Sequence, residues 1–259
     1  MTDLVIRPLE AGEEALFTSL PDRGLVGRTL LGDDFAEMAK KGEYRPEWTW
    51  VALRDGVVVA RAAWWAKAGD EAPIALDWFD FTDFDAGVHL LKTAPLRTEY
   101  ALTTPPGWQD DPEVAQEVNG RVEAAEKAGY RKLVERYRFR WTPENGLPEK
   151  PGRLEFRPEP DDDVILGVFK RVHVGSLDAH VRDTVEKHGL DVAAQEDLDI
   201  MKWMPAPRDW WRLAYTPDGD LVGYGAEQIV AGTDVGNVPM AKAFAKAGYP
   251  VTQHRIDLA

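Results

Sequence analysis

The sequence predicts a mixed α/β fold assembled from two tandem copies of one strand-and-helix unit. Three short patterns recur in the same order in both halves of the chain, a Pro- and Gly-rich stretch separates the halves, and 44% hydrophobic content over 259 residues can fill a core in each. The first pattern is an alternating strand stopped by proline, Leu4-Val5-Ile6-Arg7-Pro8, which returns 150 positions later as Leu154-Glu155-Phe156-Arg157-Pro158. The second is a strand, an Asp-Gly turn and a strand, at Trp50–Val58 and again at Trp211–Val222, where the glycine tolerates positive φ and the flanks favour strand. The third is a helix-forming run closed by glycine and followed by a strand, Ala124–Tyr130 and Ala243–Tyr249. The stretch between the copies, 143–152, is a linker by composition, which places domains at 1–142 and 153–259. Chance likeness of three short motifs is the competing reading, and their shared order argues against it.

Each element follows from local pattern. In the first copy, strand 4–8 leads to a helical region over 10–41. Strands near 48–54, 57–66 and 73–81 follow, then a helix near 86–92, a strand near 98–104, a helix near 111–128 and a strand near 131–141. The second copy has strand 153–157, a helix over 162–173 and another over 176–188, with Ser176 as N-cap and Gly189 as C-cap. Residues 191–204 run on to the hairpin without an assigned element. A strand near 226–232, a helix over 237–247 and a strand over 250–257 complete the chain. In the pairs Trp64-Trp65 and Trp210-Trp211, neighbours on a strand point to opposite faces, so core on both faces is expected.

Charge and composition narrow the partners. With 45 acidic against 31 basic residues the formal net charge is −14, which repels a nucleic-acid backbone and an anionic membrane surface and favours encounter with cations. There is no cysteine, hence no disulfide, thiol nucleophile or thiolate metal site. The N-terminal residues lack a basic and apolar leader, and no run of about 18 apolar residues occurs, so the expectation is a cytoplasmic protein. No Gly-x-Gly-x-x-Gly after a strand, Walker-type loop or Gly-x-Ser-x-Gly elbow occurs, which leaves hydride transfer, nucleotide hydrolysis and serine triads without support.

The hairpin Trp211–Gly223 followed by Thr233-Asp234-Val235-Gly236-Asn237-Val238-Pro239-Met240 and Ala247-Gly248-Tyr249-Pro250 resembles the GNAT superfamily of acyl-CoA-dependent N-acyltransferases. The resemblance covers most of 153–259, and over 1–142 it rests on element order alone. It implies direct transfer, with acetyl-CoA and an amine bound on either side of a splayed sheet. A helix N-terminus would hold the pyrophosphate, a base would deprotonate the ammonium, and no metal would be required. It further implies a small-amine acceptor, for which the negative charge suits a cationic one, and contact of Thr233, Asp234 and Asn237 with the cofactor. Asn237 is also expected to cap the last helix, and the strand-end pair Thr233 and Asp234 is compatible with ordinary polarity there. Neither the catalytic residues nor the oligomeric state is legible.

Two departures stand beside the resemblance. The family's cradle, written Gln/Arg-x-x-Gly-x-Gly/Ala, is missing from both copies, and the corresponding segment of the first, Asp77–Gly87, is acidic and would repel a pyrophosphate, so 1–142 reads as a degenerate, structural or substrate-shaping domain and 153–259 as the copy nearer the active type. The four aspartates of Asp77–Gly87 have the wrong spacing for a calcium loop and read as a strand end plus a helix cap. From turn glycine to closing glycine there are 73 positions in the first copy (Gly56 to Gly129) but 29 in the second (Gly219 to Gly248), so between Val222 and Ile229 the second copy is about 44 residues short, the length of the family's central strand, cradle and helix. The shortfall has three readings: residues absent from this sequence, a degenerate remnant, or misaligned halves. The first places a backbone break within 222–226, with a Cα–Cα step far above ~3.8 Å. Phe244 stands where family members often carry a tyrosine acid and cannot donate a proton; it reads as core. Each of His89, His173, His180, His188 and His254 is a weak candidate base, and the acidic residues of 191–199 read as a solvated face. A catalytically silent binding module for a small molecule or protein partner is therefore the alternative to an enzyme, and an unrelated α/β enzyme with similar hairpins the third reading.

Overall fold

A computed structural model describes the chain except residues 1–2, 29–33, 141, 147–153, 159–160, 205–206, 220 and 226–229. Its contacts divide it into two units, Met1–Arg136 with Thr252–Ala259, and Tyr137–Val251.

The first unit is a sheet with helices on both faces. In chain order it contains β1 (Leu4–Pro8), α1 (Glu14–Thr18), β2 (Gly27–Arg28), α2 (Phe35–Lys40), β3 (Thr49–Arg54), β4 (Val57–Trp65), β5 (Ala75–Phe81), α3 (Phe84–Thr93), β6 (Glu99–Thr104), α4 (Pro112–Lys127) and the start of β7 (Lys132–Arg140). The hairpin β3–β4 turns on Asp55 and Gly56, both at positive φ (52° and 76°), the geometry that the Asp-Gly pair predicts. Strands β1, β3, β4 and β5 are successive antiparallel neighbours, and β5 meets β6 in parallel. Trp64 packs with Leu90, Leu91, Val118 and Ala124 of α3 and α4, whereas Trp65 packs with Phe17, Phe35 and Met38 of α1 and α2. Adjacent tryptophans thus fill cores on opposite faces, as strand alternation requires.

The region 10–41 is not one helical stretch. Pro21 and an Asx turn, in which the Gly24 amide donates to Asp22 Oδ1 (2.8 Å), interrupt it between α1 and α2, and the two-residue strand β2 lies there.

The closing strand also departs from a contiguous division at 142 and 153. Strand β12 (Val251–Leu258) counts with the first unit from Thr252 onward. It pairs antiparallel with β6 from His254↔Thr104 to Leu258↔Tyr100. Residues 100–104 are all buried, so their outward N–H and C=O groups need a partner, and this ladder supplies one.

The second unit has β8 (Glu155–Pro158), α5 (Asp162–His173), α6 (Ala179–His188), α7 (Leu190–Trp203), β9 (Arg212–Tyr215), β10 (Leu221–Gly225), β11 (Val230–Asp234) and α8 (Val238–Lys246). Strands β10, β9 and β8 form an antiparallel sheet, β11 lies beside β7, and Ile165, Phe169, Ala194, Leu198 and Trp211 form a core. Strand β10 is the second strand of the expected hairpin, and the strand expected near 226–232 appears over its described part as β11. Gly223, Tyr224 and Gly225 pair in turn with Ala214, Leu213 and Arg212, so no break falls within 223–225, and 226–229 lie outside the described residues. Of the linker 143–152, residues 147–152 also lie outside the described residues, and Pro143–Asn145 form a 3-10 turn.

One helix boundary differs from expectation. The N-cap of α6 is Asp178, which accepts from the amides of His180 (2.9 Å) and Val181 (3.1 Å), while Ser176 Oγ accepts from the Asp178 amide. Gly189 closes α6 as expected and also starts α7, a helix beyond those the sequence predicts.

Candidate functional site

In the first unit the site begins where two parallel strands part. Strands β5 and β6 pair only at Ala75↔Glu99 and Leu76↔Tyr100, although β5 runs on to Phe81 and β6 to Thr104. Past Leu76 and Tyr100 the facing edges diverge, and the groups they no longer offer each other find other partners. The Phe79 carbonyl accepts from Arg121 Nε of α4 at 3.0 Å. Leu102 and Thr103 of β6 pair with Arg28 and Gly27 of β2.

A buried ion network lies on β5 beside this divergence. Asp80 receives Arg61 Nε (2.9 Å) on one oxygen and Arg121 (2.8 Å) on the other. Arg61 also donates to the carbonyls of Phe17 (3.0 Å) and Leu20 (2.9 Å), and its guanidinium sits 5.1 Å and 4.9 Å from the rings of Phe17 and Trp78. Coulombic attraction to Asp80 and hydrogen bonds to Asp80 and Glu117 hold Arg121 firmly protonated despite its burial. Asp77 accepts from the Tyr44 hydroxyl at 2.6 Å. None of these groups was singled out as a unit by sequence, because Arg61, Asp80 and Arg121 are brought together across three elements.

The helix that follows β5 has an N-terminus closed by its own side chain. Asp83 caps α3 by accepting from the Ala86 amide (3.0 Å), and it also accepts from Arg54. The Ala86 amide first, and then Arg54, hold the Asp83 carboxyl below the ordinary carboxylate range against the opposing pull of partial burial. With Asp83 and Asp85 in place, the negative charge that the positive end of a helix attracts comes from this chain. Replacing Asp83 by alanine should lower stability by about 1 kcal/mol, the usual loss for an N-cap. Because the folded pKa is depressed, the wild-type advantage is present in full above the unfolded carboxylate pKa of about 3.9 and fades as pH falls through the lower folded value. Urea unfolding of both proteins at pH 7 and pH 3 measures it; a difference independent of pH would refute the assignment.

The candidate residues of the second unit lie together at the end of β11. Thr233 and Asp234 are buried, and Asp234 Oδ2 accepts from the Ala179 amide at the start of α6 (2.6 Å). Asn237 is half-buried and caps α8, its Oδ1 accepting from the Met240 amide at 3.4 Å, the expected capping role. Phe244 stacks on Phe139 (4.9 Å between centroids) and also meets Tyr249, but it is half-buried on a helix without a buried residue rather than a core position. His173 Nε2 lies 2.8 Å from Asp197 Oδ2, the ring stacked on Phe169, so this member of the acidic 191–199 segment joins α7 to α5. Asp191 likewise pairs with Lys170 (2.7 Å). His254 sits on β12, where burial lowers its pKa and Glu135 opposes that shift.

A pocket of about 370 Å³ opens at the other end of β6, lined by Arg97, Glu99, Gly129 and Tyr130 among others. Its arginine donates to the carbonyls of Leu91, Ala94 and Leu96 and so closes the C-terminal end of α3, and burial pushes the Tyr130 phenol up to about 12. Glu99 and Tyr100 are where β6 is still paired with β5, so the pocket lies away from the divergence.

No protein-family model and no curated protein matches the chain. Among solved structures, a GCN5-related N-acetyltransferase from Sphaerobacter thermophilus is similar over 98% of this chain and 94% of its own, at 12% identity and a TM-score of 0.51. A tandem GNAT protein from the clavulanic acid biosynthesis pathway is matched over 99% and 98% of the two chains at 15% identity and a TM-score of 0.46. A GNAT-family acetyltransferase from Colwellia psychrerythraea is matched over 98% of both at 11% identity and a TM-score of 0.43. The first of these likenesses shows the fold: a mixed, mainly antiparallel sheet of the GNAT type.

Proposed function

We propose that this chain, with the GNAT fold as its premise, transfers an acetyl group from acetyl-CoA to the nitrogen of a small amine. The observation that supports the reading is the parting of β5 and β6 after two residue pairs, which turns strand edges inside a buried sheet toward a ligand. In the proposed reaction the neutral amine nitrogen attacks the thioester carbonyl, the tetrahedral adduct expels the CoA thiolate, and the ammonium proton leaves beforehand to a base or water. Direct transfer of this kind requires no metal. The net charge of −14 favours encounter with a cationic amine. In the second unit Thr233, Asp234 and Asn237 are the proposed cofactor contacts, Asn237 standing at the N-terminus of α8, where backbone N–H groups suit an anion. Among the described residues no helix is long and apolar enough to cross a membrane, and we place the reaction in the cytoplasm.

A second reading, a catalytically silent module that binds a small molecule or a protein partner, is favoured by the acidic cap on α3 and by Phe244, which has no hydroxyl to protonate a leaving thiolate. Calorimetry with acetyl-CoA, followed by thiol release over a panel of amines, separates the two. Binding with amine-dependent thiol release is expected. Binding without release assigns the silent role, and absence of acetyl-CoA binding by wild type and by the variants described below refutes the enzyme.

A further inference from the structure

Strand β6 has two edges, and β12 takes one of them along the whole of residues 100–104. The pairing of Gly27 with Thr103 and Arg28 with Leu102 therefore lies on the other edge, the one that faces β5. That edge is paired with β5 only at residues 99 and 100, so β2 occupies the opening between the diverging strands. The fit is close: a Cβ on Gly27 would come within 3.3 Å of the Thr103 methyl.

The residues before β2 fix it in place. Val26 is buried in the core that holds Leu102 and Val118, and Leu25 packs against the same core. Arg23 pairs with Glu113 and Glu117 of α4. Glu117 also receives Arg121, whose Nε holds the Phe79 carbonyl on the opposite wall of the opening. One wall is thus covered by β2, the other by Arg121, and Glu117 links the two.

We infer that residues 22–28 form an inhibitory strap that occupies the opening between β5 and β6 and must withdraw before an acyl carrier can enter. The inference rests on the acyl-CoA reading above. An extended carrier arm with amide groups would compete with β2 for the backbone groups of Leu102 and Thr103. The strap is also built to leave. Its ladder is two residues long, it is anchored by one buried side chain, and Arg23, which ties it to α4, is itself exposed, a combination that opens locally at low cost. Apparent affinity then falls by the fraction of molecules whose strap is out.

The protein has no cysteine, so a Gly27→Cys/Thr103→Cys pair would make a single disulfide across an antiparallel pair and lock the strap onto β6. Gly27 does not occupy the left-handed region, so cysteine is tolerated there. Calorimetry with acetyl-CoA compares the oxidised and reduced forms of this variant with Val26→Asp, which expels the strap by placing a carboxylate in the core, and with Arg23→Ala, which only frees it from α4. We expect the oxidised form to bind at least about tenfold more weakly than the reduced form, and one or both release variants to bind at least about tenfold more tightly than wild type. Equal affinity in oxidised and reduced forms overturns the strap and leaves the acyl-CoA reading standing. Binding by a release variant where wild type shows none supports the strap and rescues that reading. Absence of binding in every form, with Arg23→Ala unfolding as wild type does, overturns both.

Discussion

Replacing Asp80 by alanine lowers the stability of the first unit by about 3–5 kcal/mol, the loss typical when one member of a buried ion network is removed. Asp80 is 4% exposed and Arg61 1%, so neither guanidinium that it pairs with can recover its partner from water. The penalty comes from the two cations left behind more than from the attraction lost. Net stabilities are about 5–15 kcal/mol, so the loss removes a large share. Urea unfolding read by tryptophan fluorescence measures it, and combining Asp80→Ala with Arg121→Met tests the cause. If stranded charge dominates, the double variant loses less than the sum of the single ones. A loss under 1 kcal/mol for Asp80→Ala, or strict additivity, refutes this account.

Replacing Gly87 by alanine destabilises the protein by about 1–3 kcal/mol, although alanine is the better helix former by about 1 kcal/mol. A Cβ there would lie 2.9 Å from Phe81 Cδ1 and 3.0 Å from its Cγ. The ring cannot simply swing away, because it meets Phe84 edge-on at 5.8 Å and Phe79 at 5.3 Å. The lost distance must come from moving α3 off the strand. Gly167 in α5 supplies the control, since a Cβ there meets nothing within 4 Å; Gly167→Ala should stabilise by about 0.5–1 kcal/mol. Thermal unfolding of the two variants should shift in opposite directions. A Gly87→Ala protein as stable as wild type would show that α3 is not held against β5 by close contact. The comparison bears on function because α3 and β5 form one flank of the proposed carrier site.

The elements legible in the sequence were those with a strong local cause. The Asp-Gly turns, the helix over 162–173 and the cap at Asn237 rest on residues adjacent in the chain, and they appear where expected. Helix α7 was not assigned because the sequence there offers no cap beyond Gly189; its acidic residues are mostly exposed, as a solvated face requires, and Asp197 alone of them is half-buried, against His173. The break of 10–41 into two short helices was missed because apolar spacing there fits a helix and the interruption depends on an Asx turn and on a two-residue strand. The acidic run Asp77–Asp85 was read as repelling a phosphate. Asp83 caps its helix as expected, but Asp80 and Asp77 are engaged by groups 19 to 41 positions distant in sequence.

By itself the sequence determined the fold class and the Asp-Gly hairpins, because periodicity and turn chemistry are local properties. Only the tertiary structure decided that the last strand joins the sheet of the first unit, that β5 and β6 part after two pairs, and that the protein's own backbone fills the gap between them. Those outcomes turn on which buried N–H and C=O groups lack a partner, and no stretch of sequence reveals that until distant strands have met.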